Sequence, residues 1–233
     1  MDESITLPKI EHAPQTLRSI VQDRMRAAII DGHFAPGQRL IERPLCEQLG
    51  VSRTVIRETI RFLEAEGLVD ILPNRGPIVA RMDWDQARQI YDIRRQLETS
   101  AAMACAAAPS REFETRLRAA LRQLEASFLE ADAGHRFKAS TRFYEVLFEE
   151  AGHTVAWEIV QRLNGRISRL RALTLSTTER AKPGLAHMTA ICAAILDANP
   201  AAAEHAVRAH IQDASDIAQR LLSATEGQAT QHG

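Results

Sequence analysis

The sequence predicts a mainly α fold in two parts: a small helical segment closed by a β-hairpin, then an all-α antiparallel bundle. Three observations carry this. Apolar residues recur at helical spacing along most of the chain. One stretch, "LVDILPNRGPIVARM" from Leu68 to Met82, reads instead as strand, tight turn, strand. Past Trp84, glycine becomes scarce, alanine and leucine rise, and strand signals stop.

The elements follow in order. Residues 1–15, "MDESITLPKIEHAPQ", are polar and proline-punctuated and read as a loose arm, without the features of a signal peptide. "LRSIVQDRMRAAII" places Leu17, Ile20, Val21, Met25, Ala28 and Ile29 at helical spacing, and "DGHFAPGQRL" stops that helix with Gly32, Pro36 and Gly37. "ERPLCEQLG" is a short helix ended by Gly50. Ser52 is a good N-cap for the next helix, which Gly67 ends. Strands are expected over Leu68–Leu72 and Ile78–Arg81, around the turn Pro73-Asn74-Arg75-Gly76. Helix, helix, short turn, helix, hairpin is the order of a winged helix-turn-helix, assigned to residues 16–82. Six helical stretches follow, at about 84–108, 111–131, 135–151, 154–177, 184–198 and 200–224. "APS", "DAGH", "AGH", "RAKPG" and "ANP" punctuate them, and such short breaks favour an antiparallel bundle spanning 84–225.

Composition narrows the class. At 45% hydrophobic and 25% charged, the 233 residues suit a folded protein of one or two domains. The net charge of −1 supplies no global attraction for polyanions, so any nucleic-acid footprint must be local. Basic residues are almost all arginine, whose planar fork suits phosphates and guanine edges. Cys46, Cys105 and Cys192 lie far apart with no CxxC, as expected of reduced core thiols in a cytoplasmic protein. No apolar run approaches the roughly 20 residues that span a bilayer, so no membrane partner is expected.

The helix from Arg53 to Leu63 carries the functional signal. On a helical wheel, Val55, Ile56, Thr59, Ile60, Phe62 and Leu63 fall on one arc. Arg53, Thr54, Arg57, Glu58 and Arg61 fall on the other, with the arginines at successive i, i+4 steps. A helix-turn-helix sets the N-terminal turns of its second helix in the major groove. Ser52, Arg53, Thr54 and Arg57 occupy those turns, where hydroxyls meet phosphates and an arginine meets guanine O6 and N7. The hairpin tip offers Arg75, with Gly76 allowing close backbone approach.

The stretch "PGQRLIERPLCEQLGVSRTVIRETIRFLEAEGLVDILPNRGPIV" resembles the GntR-type winged-helix signature from Pro36 to Val79. "IYDIRRQLE" at 90–98, "HMTAICAAI" at 187–195 and "AVRAHI" at 206–211 resemble the C-terminal domain of the FadR-like subgroup, the FCD domain. The resemblance covers roughly residues 16–223. It implies a homodimeric, ligand-responsive transcription regulator, in many members a repressor. It puts Arg43, Arg53, Arg57, Arg75 and Gly76 at DNA-contact positions, with Ser52 and Thr54 beside them. Arg43 also has a structural reading, as a cap or ion pair of its own short helix, and Gly76 one as a turn residue. One winged helix offers too few base contacts for a unique genomic site, so a dimer on a palindromic operator in double-stranded DNA is expected.

Many FCD domains hold a divalent metal, zinc or nickel, on an Asp and a His four residues apart plus two later histidines. The later pair maps onto His187 and His210. The Asp and His positions carry Ser140 and Tyr144, which are poor ligands at neutral pH. Three uses of the region stay open. One is a metal on His187 and His210 with substitutes such as Glu145, Glu149 or His135, which would make a metal-sensing regulator with a rebuilt site. Another is direct binding of an organic acid by Arg94, Ser140, Tyr144, His187 and His210, with Arg169 or Arg171 adding charge and no cofactor required. In the third, the histidines are structural and Arg94 pairs with Glu98 one turn on. A metal-dependent helical-bundle enzyme is the competing class. No HExxH, GxSxG, Walker A or GxGxxG sequence supports it.

Overall fold

The computed structural model describes residues 16–129, 133–168, 170–171, 174 and 178–230. The expected arm at 1–15 and Arg169 lie outside them. Helix α1 runs Leu17–Ile30 from an N-cap at Thr16, whose hydroxyl accepts from the Ser19 amide at 3.2 Å. Helix α2 spans Glu42–Leu49 and stops at Gly50, whose φ of 65° is the left-handed conformation glycine adopts freely. Helix α3 spans Arg53–Ala65 with Ser52 as N-cap. Strands β1 (Val69–Leu72) and β2 (Gly76–Val79) pair antiparallel from Val69↔Val79 to Leu72↔Gly76. The second strand therefore begins at the turn, earlier than the sequence expects, and Ile78 also bridges Arg39. Val21, Met25, Ile29, Leu45, Ile56, Ile60, Leu63, Leu68 and Val79 make one buried core beneath these elements. Truncating a member such as Leu63, which is fully buried, would cost about 2–5 kcal/mol.

The second core belongs to α4 (Trp84–Ala107), α5 (Arg111–Ser127), α6 (Ala133–Glu150), α7 (Thr154–Arg166), α8 (Thr178–Leu196) and α9 (Pro200–Thr230). Helix α9 lies along α4 and α8, while α5 lies along α6. Two expectations change. The helix expected over 154–177 breaks at Ile167, after Asn164-Gly165, and helical residues resume at Ser168. The break expected at "RAKPG" does not occur: Pro183 sits inside α8. Proline forfeits one amide hydrogen bond there, but Met188, Ile191, Cys192 and Ile195 continue a buried stripe that outweighs it. The three cysteines are free, Cys46 half-buried and the others buried. Burial pushes the Cys105 thiol up to about 12, so it stays protonated.

Candidate DNA-reading face and buried polar cluster

The stripe on α3 divides as the wheel requires. Ile56, Thr59, Ile60 and Leu63 are buried, while Arg53, Thr54, Arg57, Glu58 and Arg61 are exposed. Ser52 accepts from the Val55 amide at 3.4 Å, a long capping bond. Arg57 does not stand alone on its face. Its Nε donates to Glu42 Oε1 at 2.7 Å from the first residue of α2, and that hydrogen bond raises its pKa. Arg43 pairs with Glu47 one turn on, at 3.0 Å, with both side chains well exposed. This is the ion pair of the structural reading, and its exposure leaves the guanidinium open to exchange partners. Arg75 is exposed at the hairpin tip. Gly76 has φ of 74° and Asn74 has φ of 64°, so the turn alone explains the glycine. Arg43, Arg53, Arg57 and Arg75 are all exposed. The partnership of Glu42 with Arg57, fifteen residues apart, has no signal in the sequence.

Inside the bundle lies a different assembly. Arg94 and Glu98, on α4, are buried, and Arg94 Nε meets Glu98 Oε1 at 2.7 Å. Burial alone would lower the Arg94 pKa; Glu98, with Tyr91 and Tyr144, more than offsets that, and the guanidinium ends above its ordinary value. Ser140 and Tyr144, on α6, are also buried. Burial and then the Glu98 carboxylate push the Tyr144 phenol well up, against the pull of Arg94 and Arg171. Its Oη lies near Glu98 without a hydrogen bond of good geometry, and Glu98 Oε2 is likewise unpaired. Arg171 is buried too. Its Nη2 donates to Ser140 Oγ at 3.0 Å, its Cζ lies 4.8 Å from the centre of the Phe137 ring, and its Nη1 has no hydrogen bond among the described residues. Burial, then repulsion from Arg94, lower it to about 9, which still leaves it charged at neutral pH. His210 is buried, 6.1 Å between ring centres from Tyr144 and 6.0 Å from His187. His187 is half-buried, with Nε2 3.8 Å from Asp213 Oδ2.

The structure thus brings together Arg94, Glu98, Ser140, Tyr144, Arg171, His187 and His210; of the two arginines expected to add charge, Arg171 is the one described there. Arg94 makes the ion pair with Glu98 that its structural reading expects. All of these but half-buried His187 are buried. Clefts of about 380 and 460 Å³ lie elsewhere, the first between α5 and α6 and the second between the two cores.

These residues do not fit a divalent metal. The Ser140 hydroxyl is taken by a guanidinium, the Tyr144 phenol is held protonated, and two arginine cations share the enclosure with His187 and His210. The expected substitutes are engaged elsewhere: Glu145 with Arg142, and Glu149 with Arg116. Among the described residues, no three His, Cys, Asp or Glu side chains converge as a metal site would require.

Residues 89–213 match the FCD domain, and residues 17–79 match the bacterial regulatory proteins of the gntR family. The chain belongs to the gntR family. Its FCD match covers more than half of the 233 residues. An uncharacterized HTH-type transcriptional regulator in an unstable DNA locus of Streptomyces ambofaciens is 27% identical over 207 residues, 89% of this chain and 87% of that one. The HTH-type transcriptional repressor RspR of Escherichia coli K12 is 24% identical over 197 residues, 84% and 86% of the two chains. The solved structure of E. coli McbR/YncC superposes with a TM-score of 0.73 at 19% identity, covering 89% of this chain and 99% of that one, which speaks to the fold. This gntR-family chain is a DNA-binding transcriptional regulator with an FCD effector-binding domain; the family and its relatives are regulators, not enzymes. No helix among the described residues is long and apolar enough to cross a membrane.

Proposed function

We propose that the chain is a dimeric repressor whose hold on a palindromic operator changes when a small carboxylate enters the buried polar cluster. The DNA-reading part occupies residues 16–82 and the effector and dimerisation part 84–225. Arg53 and Arg57 read the major groove with Ser52 and Thr54, Arg43 holds backbone phosphate, and Arg75 and Gly76 follow the wing into a neighbouring groove. The observation that carries the ligand half is Arg171. Among the described residues its hydrogen-bond partner is a neutral hydroxyl, and one face of its fork, Nη1, is unpaired. Glu98 already answers Arg94, so a buried cation is left over, and a carboxylate supplies the missing charge and a second acceptor. Ser140 meets it directly, and Tyr144, His210 and His187 follow in the same cluster as further polar groups. Val155 and Ile159, exposed one turn apart on α7, support an apolar contact with a second copy.

A thermal-shift series of small carboxylates against the matching alcohols tests the ligand. Stabilisation of wild type by a carboxylate, lost in Arg171→Leu, is expected. Calorimetry with that carboxylate should be unchanged by chelator. One tightly held metal per chain, with ligand binding lost on its removal, would defeat the reading. The binding form of Arg171 is the guanidinium, so affinity should be flat through neutral pH and fall as pH rises past about 9. A bound carboxylate would move that fall higher. A fall already near pH ~6.5 would instead show that a histidine must be protonated. Light scattering should give twice the 25.9 kDa chain mass.

A further inference from the structure

Gly165 stands inside α7, in its last turn. A helical position favours alanine over glycine, so the glycine needs a reason outside the helix. A Cβ built on it would lie 2.3 Å from the carbonyl oxygen of Glu66 and 3.3 Å from its carbonyl carbon. Glu66 is the C-cap of α3, the helix whose first turns carry Arg53 and Arg57. Its carboxylate is held by Arg26 of α1, Nε to Oε2 and Nη2 to Oε1, each at 2.9 Å. The next residue, Gly67, has φ of 75°, and a Cβ there would fall 2.3 Å from Cγ of Arg166. At this point α7 meets the end of α3 with a glycine on each side. Beside it the two domains stand apart. The 460 Å³ cleft separates Arg26, Ile30 and Phe62 from Phe137, Gln161 and Arg162. Among the described residues, no element of the reading domain packs broadly on the bundle.

We propose that Gly165 is a positioning residue: it lets the bundle seat the C-terminal end of α3, and so sets the orientation in which the reading face is presented to DNA. Arg26 completes the seat by tying α1 to the same capping residue. The inference rests on the dimer reading, because orientation matters when two reading heads must meet two half-sites at one spacing. It does not rest on the ligand reading, since no residue of the polar cluster takes part. An alanine at 165 would gain helix propensity within α7 and lose the seat, because the Glu66 carbonyl is backbone and cannot step aside alone.

The test uses the full chain and a duplex enriched from a random-sequence pool by the wild-type protein, with no small molecule present. Gly165→Ala should lose about tenfold in affinity for that duplex. Its binding to an unrelated duplex, and its thermal unfolding, should match wild type. Fresh enrichment with the variant should return a different or looser half-site spacing. Arg166→Ala, which removes the stem over Gly67 but keeps Gly165, should show a smaller loss of the same kind. Glu158→Ala, exposed on the same helix, should show none. A folded, dimeric Gly165→Ala that binds the enriched duplex with wild-type affinity overturns the inference alone. If Gly165→Ala does not fold, Arg166→Ala decides, and wild-type affinity there overturns it. A monomeric wild type, seen by light scattering on the same samples, removes the dimer reading and this inference with it.

Discussion

Arg57 and Arg94 are both arginines on helices, and both meet a glutamate at 2.7 Å. Arg57 is well exposed and pairs with Glu42 across two helices; Arg94 is buried and pairs with Glu98 one turn along its own. The same bond has opposite consequences. In water, a guanidinium leaves one carboxylate for another acceptor at little cost, so Arg57 can give up Glu42 readily. In the interior, both ions have lost their hydration, and neither can give up its partner without leaving an uncompensated charge. The exposed pair suits an arginine that must exchange partners, and the buried pair is fixed beside Arg171, whose Nη1 has no hydrogen bond among the described residues.

The comparison breaks most visibly at Glu98. Glu98→Gln should destabilise the fold by about 3–5 kcal/mol, read by urea denaturation, because it strands buried cations. Arg94→Met with Glu98→Leu should recover much of that loss. A mild effect of the single change would show that the pair is solvated after all.

Next come Arg53→Ala and Arg57→Ala. Each should cost roughly tenfold to a hundredfold in operator affinity if it reads a base, with unfolding unchanged. Where the contact is to phosphate, the salt slope should fall by about one. Wild-type affinity in both variants would remove α3 from the reading role.

Ser52→Ala should be smaller, about 1 kcal/mol in stability through the lost cap, and its long bond to Val55 places it at the low end. An operator loss beyond that expected from fraying would add a phosphate contact for the hydroxyl. The least effect is expected at Glu42→Gln. It frees Arg57 without removing it, so stability should stay within about 0.5 kcal/mol. Operator affinity should shift severalfold at most and respond more to salt. A loss matching that of Arg57→Ala would mean that Glu42 itself touches DNA.

Much of the DNA-reading half is legible from the chain. Local rules place α1 to α3, the Ser52 cap, the Gly50 stop and the hairpin turn, and the period of 3.6 separates the buried face of α3 from its arginines. The bundle is legible in its helices and less so in its breaks. Pro183 reads as a stop and is carried through by packing, while Gly165 reads as tolerated and marks the contact with Glu66. The polar cluster is legible only in part. The spacing of Arg94 and Glu98 announces their pair, and the replacement of metal ligands by Ser140 and Tyr144 is visible in the sequence. The choice of Arg171 as the cation that meets Ser140 is not, because nothing local links residues 31 positions apart.

What the sequence determined by itself is therefore periodic and local: which segments are helical, which faces are apolar, where glycine and serine end or begin an element. Tertiary structure decided which charges face one another. Arg57 with Glu42, Arg171 with Ser140, and the end of α3 against Gly165 each depend on how helices cross. Those crossings follow from the packing of two separate cores, summed over many side chains at once, and no short stretch of the chain encodes them.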